Sequence, residues 1–97
     1  MLEIGKSYLV AVVAGYNPYV FAGRIKSLYG PYGFVLENAA WILYTGGNEY
    51  TWPMIASGDA SARGAMRVRM YTGDVIVGGN LSYATEWVGD LPTAGQN

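Results

Sequence analysis

Nine tyrosines, three tryptophans and two phenylalanines stand in a chain of 97 residues that carries only six basic side chains. These are the residue types that recognise a phosphorylated, flat-ringed ligand: arginine forks the phosphate oxygens while an aromatic ring stacks on the base. Five of the basic residues, Arg24, Lys26, Arg63, Arg67 and Arg69, fall between positions 24 and 69. Aromatics gather in the same span at Trp41, Tyr44, Tyr50 and Trp52, and at Tyr16 and Tyr19 before it. The candidate ligand-binding set is therefore Arg24, Trp41, Tyr44, Tyr50, Trp52, Arg63, Arg67 and Arg69. Each type also has an ordinary role. Aromatics fill cores and subunit interfaces, and alternating arginines solvate a half-exposed strand.

Catalytic chemistry is poorly supplied. Cysteine and histidine are both absent, which removes thiol nucleophiles, disulfides, a Ser-His-Asp triad and an ordinary zinc site. Glu37, Glu49, Asp59, Asp74 and Glu86 are dispersed, and no local spacing forces two carboxylates together for acid–base work or a hard metal. Gly46-Gly47 and Ser57-Gly58 with Ser61 offer backbone N–H groups to an anion, but no phosphate-loop spacing with its lysine accompanies them. The expectation is a protein that is not an enzyme, with no cofactor and no metal. A formal net charge of -1 provides no field for duplex nucleic acid.

Charged residues make up 13% of the chain and hydrophobic ones 52%, against about 25% charged in an average domain. Such a composition rules out disorder and leaves an uncharged surface that a homo-oligomer would cover. The longest uncharged stretch, 7–23, is broken by Gly15-Tyr16-Asn17-Pro18, so it is not a spanning helix, and the start lacks the pattern of a signal peptide. A cytoplasmic protein without membrane contact is expected.

The elements that must position these residues are short strands. Tyr8–Ala14 is almost wholly apolar, as in a strand covered on both faces, and the turn at 15–18 returns the chain into a second strand, Tyr19–Leu28. There the two-residue period places Arg24 and Lys26 on one side and Phe21, Gly23 and Ile25 on the other. Tyr29-Gly30-Pro31-Tyr32-Gly33 closes a hairpin onto Phe34–Tyr44, in which Ala39-Ala40 marks either a bulge or a close approach by another chain. From Thr45 to Gly64 regularity is lost, apart from one or two helical turns between Pro53 and Gly58. Ala65–Tyr71 alternates, with Met66, Val68 and Met70 inward and Arg67, Arg69 and Tyr71 outward. Val75-Ile76-Val77 and Leu81–Trp87 complete the set, the last with Leu81, Tyr83, Thr85 and Trp87 on one face. The predicted fold is mainly β: a small, strongly bent antiparallel sheet or partly open SH3-like barrel of five to six strands, with at most one short helix. It occupies 1–92 as a single domain, and 93–97 is a flexible tail. If the strands carrying Arg24 and Arg67 are neighbours, they form a local basic face.

Phe21-Ala22-Gly23-Arg24-Ile25-Lys26-Ser27, Val35–Ile42, and Asp74-Val75-Ile76-Val77 leading to Ala84-Thr85-Glu86-Trp87 resemble the skeleton of small uncharacterised β-rich proteins encoded by tailed bacteriophages and prophages. The likeness spans most of 7–92 and contains no catalytic motif. That family carries a short helical stretch after its central alanine–aromatic segment, where this chain has the long run 45–64. The resemblance implies a bacterial host cytoplasm rather than a reaction. It frames the functional expectation: a counter-defence protein that sequesters a nucleotide-derived immune signalling molecule. Two alternatives stand beside it, an inhibitor that binds a host defence protein directly and a small structural or accessory component of the virion.

Overall fold

The computed structural model describes residues 2–14, 17–30, 33–44, 50–78 and 81–93. Six strands form one unclosed antiparallel sheet: β1 (Ser7–Ala14), β2 (Asn17–Tyr29), β3 (Gly33–Tyr44), β4 (Arg67–Met70), β5 (Val75–Val77) and β6 (Leu81–Glu86). The spatial order is β4-β3-β2-β1-β6, with β5 also paired to β3. The mainly β class and the hairpin between the second and third strands are as the turn residues predict. The expected tail falls, apart from Thr93, on residues outside those described.

Tyr8–Ala11 of β1 are buried on both faces of the sheet, which explains the apolar run. Leu9 and Ala11 join Ala22, Ala40, Ile42 and Val68 on one face, beneath Ile55, Ala56 and Ala62. Tyr8 and Val10 join Ile25, Phe34, Leu36 and Val77 on the other. Alternate residues of a strand point to opposite faces, so a strand serving two cores must be apolar throughout.

The helix-covered face holds α1 (Trp52–Ser57) and α2 (Ala60–Ala65), one helix more than expected. α1 begins where Thr51 Oγ1 accepts from the Met54 N–H and ends at Gly58, whose φ of 97° is the left-handed cap that glycine takes without cost. Asp59 opens α2 by accepting from the Ala62 N–H at 2.9 Å. In the sequence α2 is small residues apart from Arg63, and only Ala62 of its six is buried. It therefore has no apolar stripe for periodicity to reveal.

A bulge divides β3. Ala22 pairs with Ala40 and Arg24 with Glu37, so Gly23 alone faces Asn38 and Ala39. Asn38 takes a φ of 52°, and a Cβ on Gly23 would lie 3.2 Å from Leu36 Cβ and 3.4 Å from Ala39 Cα. The bend lets β3 pair with β5 through Phe34–Leu36 and with β4 through Ala40–Tyr44. A second irregularity corrects the reading of β6. Ala11 pairs with Tyr83 but Val12 pairs with Leu81, leaving Ser82 as the extra residue, its hydroxyl donating to the Ala11 carbonyl at 3.2 Å. Leu81 consequently packs with the core opposite to that of Trp87.

Candidate functional site

On the face away from the helices, register builds a row across three strands. Phe21 of β2 pairs with Trp41 of β3, and Trp41 pairs with Arg69 of β4. Paired residues of neighbouring strands project to the same side, so Phe21, Trp41 and Arg69 share one face of the sheet. Arg67 and Tyr71 flank Arg69 at the two-residue period. Two ring pairs complete the surface: Tyr19 against Trp41 with centroids 5.6 Å apart, and Phe21 against Tyr71 at 6.0 Å. The second pair meets across β3 above Ala39, whose carbonyl accepts from the Tyr71 N–H. A larger side chain at 39 would separate those rings.

Solvent reaches this platform. Tyr19 is 42% exposed and Tyr71 38%, while Phe21 and Trp41 are half-buried. A groove of about 280 Å³, its exposed lining mixed polar and apolar, is lined by Tyr19, Phe21, Val75–Val77 and Val12. Beyond Trp41, a shallow depression bounded by Leu43, Arg67 and Arg69 runs along β4, which ends the sheet. Both arginines are exposed, and among the described residues neither has an ion-pair or hydrogen-bond partner. A guanidinium with its donors free and a ring beside it matches a phosphate joined to a base.

The remaining candidates lie elsewhere. Arg24 Nε donates to Glu37 at 2.7 Å, and Lys26 Nζ donates to Asp74 at 2.8 Å, a contact that raises the lysine pKa. The strands β2 and β4 are separated by β3, so the basic face imagined from their adjacency does not form. Tyr50 and Trp52 pack against the helix-covered core, Trp52 with its ring 5.8 Å from Tyr83. The Tyr44 backbone pairs with Arg67 at the end of β3, and its side chain lies outside what the structure describes.

Arg63 has a structural position. Its guanidinium donates to the carbonyls of Ile55 at 2.8 Å, Ala56 at 3.0 Å and Val88, and lies 4.0 Å from the Trp87 ring centroid. Burial lowers its pKa from the ordinary arginine value. These contacts satisfy carbonyls at the end of α1, as a cation near a helix C-terminus does, and tie the helix to the chain after β6.

Of the eight sequence candidates, then, the structure brings Trp41, Arg67 and Arg69 together. It adds Tyr19, Phe21 and Tyr71. The alternation Arg67, Arg69, Tyr71 already carried the last of these, and the alternation Tyr19, Phe21 the other two. Among the described residues no cluster of acidic side chains is placed to hold a metal ion, and no helix is long and apolar enough to cross a membrane. No protein-family model matches the chain, and neither does any curated protein or solved structure.

Proposed function

We propose that the protein binds a nucleotide-derived signalling molecule without transforming it, and acts by sequestering it. The observation that carries this reading is the in-register row Phe21–Trp41–Arg69, with Arg67 and Arg69 unpaired among the described residues beside exposed tyrosine rings. Stacking supplies affinity for any base, and the guanidiniums select for phosphate. A role against host defence in an infected bacterial cytoplasm follows from the phage resemblance, and an oligomer would cover the remaining uncharged surface.

The test is a fluorescence titration with a panel of nucleotides, following tryptophan emission in the wild type and in Trp41→Phe, whose difference is the Trp41 signal. Arg67→Gln and Arg69→Gln should each weaken binding about tenfold, the effect of losing one charge-assisted hydrogen bond of about 1.5 kcal/mol. Added salt should weaken it further, and Lys6→Gln, remote from the platform, should leave it unchanged. Undiminished binding in the Arg67→Gln/Arg69→Gln double variant would overturn the assignment. One observation favours direct inhibition of a host protein as a second reading: β4 ends the sheet with exposed Leu43 beside it, a place where a partner strand can add. That reading predicts a stable complex with a host protein and no nucleotide uptake.

A further inference from the structure

The platform repeats. Tyr19 and Phe21 stand two residues apart on β2, and Arg67 and Arg69 stand two residues apart on β4. In each strand that spacing is about 6.6–6.8 Å. Both strands run antiparallel to β3, so they run parallel to each other and the two rows advance in the same direction. β3 lies between them, which sets the aromatic and cationic rows about 9.5 Å apart at the backbone. An arginine side chain is long enough to cross part of that gap; Arg69 shares the row of Phe21 and Trp41, and Arg67 stands one repeat further along β4, where β3 bulges at Leu43, as Tyr19 stands one repeat further along β2.

The rings are also two sets rather than one. Tyr19 with Trp41 and Phe21 with Tyr71 are tilted pairs, at 48° and 47°, so neither pair is closed by parallel stacking and each has one tyrosine more than a third exposed. A ligand with a single base and a single phosphate group would engage one ring pair and one cation, and would leave the second guanidinium without an anion and the second ring pair in water. A ligand whose own repeat is base plus phosphate would engage both rows, and its two negative charges would meet two cations.

We infer that the ligand class is a dinucleotide, two bases joined through phosphate in linear or cyclic form. This rests on the nucleotide-binding reading above and narrows it. The probes are AMP, a linear diadenylate and a cyclic diadenylate, titrated into the full-length protein by calorimetry. At least one diadenylate should bind tenfold or more tightly than AMP at one molecule per protomer, and whichever form binds better identifies the linkage. Tyr71→Ala should reduce the advantage of diadenylate over AMP, because it strips one of the two ring sets. Equal affinity for AMP and both diadenylates would overturn the dinucleotide inference and leave nucleotide binding standing. Failure of all three to bind would overturn both.

Discussion

Arg63 shows how far residue type alone can mislead. Its place beside an irregular, aromatic stretch suits a phosphate ligand, yet its donors meet the carbonyls of Ile55, Ala56 and Val88, the last 25 positions away in sequence. No local pattern announces such a contact. Arg63→Met should destabilise the fold by about 2 kcal/mol, because it removes the charge-assisted hydrogen bonds that join α1 to the chain after β6 and the cation from the Trp87 face, while the Ile55 and Ala56 carbonyls keep their backbone donors Gly58 and Val88. Arg63→Lys should recover only part of that loss, since an ammonium cannot reproduce the planar fork. Chemical denaturation of the two variants checks both, and wild-type stability in either would contradict the clamp. The shared face of Arg67, Arg69 and Tyr71 was legible for the opposite reason: it follows from strand alternation, which the sequence displays directly.

The titrating groups make a second residue-scale prediction. Glu3 has its pKa lowered by the hydrogen bond from Lys6. Its contribution is present above the unfolded glutamate pKa of about 4.3 and is lost as pH falls through the lowered folded value. Lys6 and Lys26 have theirs raised by Glu3 and Asp74. Their contributions are complete below the unfolded lysine pKa of about 10.4 and are lost as pH rises through the raised folded values. All of these pairs are exposed, so both effects are small and screened by salt. With no histidine or cysteine in the chain, stability should be flat from about pH 5.5 to 9, the α-amino group aside. A thermal denaturation series across that range that showed a pronounced slope would contradict this account of the charges.

At the scale of elements, the bulge and the second helix are the informative places. Ala39-Ala40 signalled the bulge, but the side chain in the left-handed conformation is Asn38, one residue earlier. Asparagine tolerates that conformation better than most residues, so Asn38→Gly should be neutral or slightly stabilising and Asn38→Val should cost about 1–2 kcal/mol. Gly23→Val should cost about 1–3 kcal/mol by overpacking, because Leu36 and the Ala39 backbone leave no room at the bend. Melting curves separate these outcomes. α2 was invisible to periodicity, although its cap was written in Asp59. Asp59→Ala should remove about 1 kcal/mol and lower the melting temperature by about 4–8 °C, and an unchanged melting temperature would mean the cap contributes nothing.

For the whole molecule, local turns disclosed the hairpin of β2 and β3, whereas the partner of β4 depended on a connection of more than twenty residues that contains both helices. Strand order was therefore open, and with it the question of which basic residues share a surface. The answer is the placement of β3 between β2 and β4, which puts Trp41 between aromatic and cationic rows and leaves Arg24 on the other side of the sheet with Glu37. The aromatic stretch at 50–52 looked equally suited to stacking from its sequence. It packs in part on the helix-covered core and, with Tyr83, lines an open depression there, on the face of the sheet away from Trp41 and Arg69.

The central claim is binding without turnover. Native mass spectrometry of the protein incubated with cyclic and linear nucleotides, followed by denaturation and recovery of the small molecule, tests it in one experiment and reads the subunit number as well. The account predicts one nucleotide-derived ligand held at fixed stoichiometry, returned chemically intact, and lost in the Arg67→Gln/Arg69→Gln double variant. A ligand-free protein across the whole panel, or a recovered ligand that had been cleaved, would contradict it.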